Sequence, residues 1–164
     1  MDESTLCTGE IFIVSPADVF DRYADMVYRL AFAKTGNRSD ADDILQDVFL
    51  RYLRAGCQVK NEEHLKALLL RMTVNSSKNL LTSVWYKRTV ALREDNPAKE
   101  QPTSDTLDAV LKLPEKYRVV IHLHYYCGYL VEEIADILKT NPSTIKSRLM
   151  RARQKLKESL KEDL

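Results

Sequence analysis

Val131-Glu-Glu-Ile-Ala-Asp-Ile-Leu-Lys-Thr-Asn-Pro-Ser-Thr-Ile-Lys-Ser-Arg-Leu149 is the stretch that decides how this chain folds. Ile134, Ala135 and Leu138 recur at helical spacing, and Ala135 is small where a second helix has to cross closely. Asn141 is a good N-cap and Pro142 a good first helical residue, so a new helix starts there with a defined phase. The few residues between the two helices match the spacing of a helix-turn-helix. Lys139 stands where a turn glycine is common, and Thr140 where an apolar residue is usual.

The helix from Pro142 to about Leu160 can be read by angle, at about 100° per residue. Leu149, Ala152 and Leu156 fall within roughly 40° of Ile145, a narrow apolar stripe. Opposite them lie Ser143, Ser147, Met150 and Gln154. Lys146, Arg153 and Lys157 form one flank, and Arg148, Arg151 and Lys155 the other. From Ser143 to Lys157 there is no acid, whereas an ordinary amphipathic helix mixes acids into its flanks for i,i+4 pairing. Two basic rails beside a polar ridge suit a DNA major groove, the rails meeting phosphates and the ridge, with Thr144 at its start, meeting base edges.

Upstream, helical periodicity continues almost throughout. Ser15-Pro16-Ala17-Asp18 is a strong helix start, followed by Val19, Phe20, Tyr23, Val27, Leu30 and Ala31, and stopped by Gly36. Ser39 is expected to open a second helix, with Asp40, Asp42 and Asp43 at its positive dipole end. Its apolar positions are Ile44, Leu45, Val48, Phe49, Tyr52 and Leu53, ending at Ala55-Gly56. A third helix carries Leu65, Leu68, Leu69, Met72, Leu80, Leu81 and Val84 to about Tyr86. It is basic: Arg71, Lys78, Lys87, Arg88 and Arg93 lie in a stretch with no acid. Arg71, Asn75, Lys78 and Asn79, followed by Trp85-Tyr86-Lys87-Arg88, interleave amides, cations and aromatics as a single-strand binding surface does. Trp85 and Tyr86 also read as caps on the core, the reading that Trp85 taken alone favours. Asp43, Gln46 and Asp47 read either as dipole complements on a solvated face or as a docking surface for a basic partner helix.

Residues 93–105 hold two prolines and no large apolar side chain, which reads as a linker. Helical pattern resumes at Thr106, and Leu113-Pro114 starts a helix through Val119, Val120, Leu123 and Tyr126 until Gly128. The expected fold is therefore all-α: two small helical bundles, residues 15–92 and 106–164, joined by a flexible linker, the second containing the helix-turn-helix. Two acid-free basic helices, one per bundle, look built to hold a polyanion at two places.

With 164 residues and a net charge of only +1, it is this segregation of charge, not its total, that carries information. Four glycines, none in a G-x-x-x-x-G-K-[ST] arrangement, exclude a P-loop nucleotide hydrolase. The apolar runs are far short of the roughly 18 residues a transmembrane helix needs, and Met1-Asp2-Glu3 is unlike a secretory signal. Cys7, Cys57 and Cys127 are odd in number and scattered, as reduced thiols of a cytoplasmic protein would be. No membrane insertion and no cofactor are expected.

The chain resembles the extracytoplasmic-function sigma factors, the minimal two-domain class of the sigma-70 family of bacterial RNA polymerase initiation factors. The resemblance runs from about Val19 to Leu160. Asp40-Ala-Asp-Asp-Ile-Leu-Gln-Asp-Val-Phe-Leu-Arg-Tyr52 resembles the family's clamp-binding helix, and Leu69-Leu-Arg-Met-Thr-Val-Asn-Ser-Ser-Lys-Asn-Leu-Leu81 its promoter-melting helix. Leu113-Pro-Glu-Lys-Tyr-Arg-Val-Val120, Glu133-Ile-Ala-Asp-Ile-Leu138 and Thr144-Ile-Lys-Ser-Arg-Leu-Met-Arg-Ala-Arg-Gln-Lys-Leu156 are similar to its upstream-element module. Asn79 and Thr82 stand where the family often has Asp and Arg. The resemblance implies that Asp43, Gln46, Asp47 and Phe49 dock on core RNA polymerase. It implies that Arg71, Asn75, Lys78 and Asn79 engage the non-template strand of the minus-ten element of promoter DNA, residues 58–64 pocketing a flipped base. Lys146, Ser147, Met150 and Arg151 would read the minus-thirty-five element. It also implies an anti-sigma factor as a partner and no catalysis by the chain itself. No N-terminal inhibitory region is expected ahead of the first helix, and no third domain in the linker.

Two rivals share parts of this pattern. A helix-turn-helix regulator would bind its DNA site without polymerase. A metalloenzyme could use His122, His124 and Cys127, but H-x-H-x-x-C on one helix sends the side chains to diverging faces, and H-E-x-x-H is absent.

Overall fold

A computed structural model describes residues 14–56, 59–83 and 105–162. The expected linker, apart from Asp105, and Trp85, Tyr86, Lys87 and Arg88 lie outside the described residues. Among those described, every regular element is helical: α1 (Pro16–Thr35), α2 (Arg38–Ala55), α3 (Glu62–Thr82), α4 (Asp105–Leu111), α5 (Glu115–Ile121), a π-helical turn (His122–Tyr126), α6 (Val131–Leu138) and α7 (Pro142–Glu162).

The caps follow from local chemistry. Ser15 accepts the Asp18 N–H at the start of α1, and Gly36 closes that helix in the left-handed region, φ 66°. The start of α2 differs from expectation. Asn37, not Ser39, is its N-cap, its side chain accepting the Asp40 N–H at 3.2 Å, because an amide oxygen two residues earlier reaches the same orphan donors. Asn61 caps α3 in the same way, accepting the His64 N–H. That helix ends at Thr82, its C-cap Ser83 in extended conformation.

Helices α1, α2 and α3 pack on one another around Val19, Tyr23, Val27, Ala31, Ile44, Val48, Leu65 and Leu69. Helices α4 to α7 form the second bundle, with Val119, Val120, Leu123, Ile134, Ile145, Leu149 and Ala152 inside it. The two bundles are not apart. Leu30 of α1 and Leu70 and Val74 of α3 belong to the same apolar cluster as the second bundle's core, so hydrophobic packing crosses from one to the other. Helix α1 meets α5 and the π-helical turn, and α3 meets α6.

Polar groups stitch this seam. Lys34 Nζ lies 2.7 Å from Glu115 Oε1. The Arg118 Nε donates to the Ala33 carbonyl at the end of α1, and its Nη1 donates to the Leu111 and Leu113 carbonyls at the end of α4. A guanidinium placed against carbonyl ends of two helices complements both negative dipole ends. Arg29 lies over the Tyr126 ring, 4.7 Å from its centroid, while the Tyr126 hydroxyl donates to Asp25.

Candidate nucleic-acid interface

In α7 the apolar stripe is buried as the angles require: Ile145, Leu149 and Ala152 are inside and Leu156 is partly covered. Ser143, Lys146, Ser147, Met150, Arg151 and Arg153 face solvent, while Thr144 and Arg148 are half-buried. Met150 is 62% exposed, an apolar side chain with nothing of its own bundle over it. The turn that presents this helix is stiff. Lys139 adopts φ 51°, the Thr140 N–H bonds the Ala135 carbonyl at 2.9 Å, and Asn141 Oδ1 accepts both the N–H and the hydroxyl of Ser143. Lys139 thus does in the left-handed region what glycine does in the common form of the turn. Before α6, the Leu130 N–H donates to Glu133 at 2.7 Å, a satisfied orphan donor at that helix's start.

The π-helical turn sits between this helix and α1. Its Tyr125 hydroxyl accepts from Arg153 Nε, with the guanidinium 5.5 Å from the Tyr125 ring centroid. His124 braces Tyr125 edge-on, and its Nδ1 lies 2.9 Å from the Tyr129 carbonyl. His122 points elsewhere, its ring stacked on Tyr126. Burial, with Arg29 nearby, pushes its pKa down to about 4, Asp25 pulling the other way. Burial also pushes the Cys127 thiol up to about 11, so it stays protonated and unreactive near neutrality. His122 and His124 diverge, and among the described residues no three His, Cys, Asp or Glu side chains could hold a metal ion.

On α3, Arg71, Asn75, Lys78, Asn79 and Thr82 are all exposed. Their spacing puts them within roughly 100° of one another, one polar, acid-free strip down the helix. The opposite side, Leu69, Leu70, Thr73, Val74 and Ser77, is buried, with the Thr73 and Ser77 hydroxyls donating back to backbone carbonyls one turn earlier. Neither basic surface is buried against the other.

On α2, Asp43 and Gln46 are exposed. Asp47 is held on both sides, accepting from the Ser76 hydroxyl at 2.7 Å and paired with Arg51 at 2.9 Å. Phe49 is only 7% exposed and packs edge-on against Phe20, so it supports the surface from below. Three apolar side chains of the first bundle lie outside its core: Phe20, Leu50, and Leu53, which is 52% exposed. Of these, the sequence reading counted Phe20 and Leu53 as core positions and passed over Leu50. The signal that could have found them is an apolar face wider than one neighbouring helix can cover.

No described helix is long and apolar enough to cross a membrane. Residues 19–86 match the family model described as sigma-70 region 2, and residues 105–156 the model of sigma-70 region 4. The RNA polymerase sigma factor SigV of Bacillus subtilis (strain 168) is 31% identical over 143 residues, covering 84% of this chain and 86% of that one. The ECF RNA polymerase sigma factor SigW of the same organism is 28% identical over 166 residues, covering 89% of each chain. The sigma factor RpoE from Bartonella quintana, solved in complex with the anti-sigma factor NepR, superposes with a TM-score of 0.66 at 23% identity, over 90% of this chain and 98% of that one.

Proposed function

This chain belongs to the extracytoplasmic-function sigma factors of the sigma-70 family, which direct promoter-specific transcription by RNA polymerase, and on that premise we propose how its surfaces divide the work. The first bundle, residues 15–92, docks on core polymerase through Asp43, Gln46 and Asp47, with Phe49 supporting the exposed Phe20, Leu50 and Leu53. The same bundle captures the minus-ten strand through Arg71, Asn75, Lys78 and Asn79, joined by Lys87 and Arg88. The second, residues 106–164, reads the minus-thirty-five duplex. Ser143, Thr144, Ser147 and Met150 face bases, and Lys146, Arg148, Arg151 and Arg153 face phosphates. Residues 93–105 connect them.

The observation that carries this reading is the pair of exposed, acid-free basic faces on separate bundles. Each alone is a modest polyanion contact dominated by phosphate neutralisation, and a rigid partner that fixes their separation turns two weak contacts into one strong one. Melting then needs no catalysis by the chain. Captured unstacked bases shift an opening equilibrium, so this step asks no enzymatic activity of the chain. The NepR complex of the Bartonella protein supports an anti-sigma factor as a further partner.

Run-off transcription with core polymerase on genomic promoter fragments tests the whole reading. Arg151→Ala is expected to weaken upstream duplex binding by roughly tenfold, whereas Asn75→Ala spares duplex binding and impairs open-complex formation. Equal effects of both on duplex affinity would refute the division of labour. Tight, specific gel shifts by the chain alone would identify a polymerase-independent regulator instead.

A further inference from the structure

We infer that Ser76 of α3 is a positioning residue for polymerase docking, its hydroxyl fixing the Asp47 carboxylate of α2 in the orientation that receives a cation from a basic partner helix. The inference rests on the proposed docking role of Asp47 and adds a residue that lies on neither proposed contact face. Ser76 is only 4% exposed, and its hydroxyl donates to Asp47 Oδ2 at 2.7 Å. The other buried hydroxyls of the same helix behave differently. Thr73 donates to the Leu69 carbonyl and Ser77 to the Thr73 carbonyl, each satisfied one turn back within α3. The Met72 carbonyl is the equivalent local acceptor for Ser76, whose hydroxyl crosses to α2 instead. Nor does burial by itself force a partner from another helix. The Tyr129 hydroxyl is buried with no hydrogen-bond partner among the described residues, and it bears a desolvation penalty for that.

Without Ser76, Asp47 would answer to Arg51 alone. Arg51 Nε lies 2.9 Å from Oδ2 and 3.0 Å from Oδ1, but both side chains of this i,i+4 pair are about half exposed, and a surface pair of that kind holds its geometry weakly. The hydroxyl bond is charge-assisted and directional, and its donor sits on a short stem fixed to a packed helix. The two donors leave room for a third, since a carboxylate offers about four acceptor sites and Asp47 remains open to solvent. A Lys or Arg arriving from a partner therefore meets a carboxylate already held in place. An interface side chain that is fixed beforehand loses no rotamer freedom on association, a saving of roughly two- to tenfold in affinity. Asn75, the next residue along α3, is exposed on the strand-facing strip, so removing the Ser76 hydroxyl leaves that strip unaltered.

The test is competition of full-length variants against the wild-type chain for core polymerase, read as apparent Kd over a range of salt concentrations. Asp47→Ala is expected to weaken binding and to lower its salt dependence, because a charge is removed. Ser76→Ala should weaken binding roughly three- to tenfold with the salt dependence unchanged, because the charge stays and only its orientation is lost. On the Asp47→Ala background, Ser76→Ala should cost less than about twofold more. A serine that merely supported the bundle would weaken binding equally on both backgrounds. That additive result overturns the inference, and so does a Ser76→Ala chain that binds like the wild type. An Asp47→Ala chain that binds like the wild type refutes the docking role of Asp47 itself. A weakened Asp47→Ala beside an additive or silent Ser76→Ala refutes the positioning role alone.

Discussion

Lys139 holds φ 51° in the turn between α6 and α7, a conformation that costs a side-chain-bearing residue roughly 1–2 kcal/mol. Its side chain is exposed, so Lys139→Gly relieves strain without removing packing. A gain of about 0.5–1 kcal/mol in urea denaturation is expected; a loss would show that the lysine stem supports the turn in another way. His122 behaves in the opposite sense. Burial and Arg29 hold its pKa near 4 rather than 6.5, so the folded chain requires the neutral ring. Stability from this group is full above about pH 6.5 and is lost progressively as pH falls toward 4. Between pH 7.5 and 5.5 the loss is about 1.4 kcal/mol, one unit of protonation linkage. The groups facing the ring are Arg29 and Asp25 from α1 and Tyr126 from its own turn. Denaturation of His122→Gln should lack this acid-dependent component, and an unchanged pH slope would assign it to other groups.

At the scale of elements, the π-helical turn has two opposed duties. Tyr126 and His122 face α1, whereas Tyr125 holds Arg153 on α7. If that hold prepares Arg153 for a phosphate, Tyr125→Ala and Arg153→Ala should be non-additive in minus-thirty-five duplex binding. The second change would add less than twofold, and Arg153→Ala would lower the slope of log affinity against log salt by about one. Additive losses would mean that Tyr125 acts elsewhere. Helix boundaries and buried stripes were largely legible in the sequence, because Ser15, Gly36, Asn141 and Pro142 are strong punctuation and Ile145, Leu149 and Ala152 a clear period. The start of α2 was less so, since Asn37 and Ser39 are both competent caps and only geometry chooses between them. The π-helical turn left no mark in the pattern, for one widened turn moves His122 and Tyr125 to different neighbours without changing residue type.

For the whole molecule, periodicity says which face of a helix is apolar but not which neighbour covers it. Leu30, Leu70 and Val74 look like ordinary bundle positions in the sequence, and the structure gives them to the seam instead. The same ambiguity hid the outward Leu53, which shares its helix with true core residues such as Ile44 and Val48. Parting the bundles uncovers the seam's apolar side chains. Lys34→Glu, which sets a carboxylate against Glu115 where an ion pair now bridges the bundles, is therefore expected to raise the fluorescence of a hydrophobic dye several-fold at 25 °C while far-ultraviolet circular dichroism stays unchanged. A dye response accompanied by loss of helicity would indicate unfolding.

The partnerless hydroxyl of Tyr129 also makes the stability of the second bundle's core adjustable by drift at a single codon. Tyr129→Phe would lift the penalty of burying that hydroxyl and stabilise the packing around the ring while leaving the exposed side chains of α3 and α7 as they are. Surface chemistry and stability can then diverge independently among descendants of this chain, the one carried by exposed side chains of two helices and the other by a single buried ring.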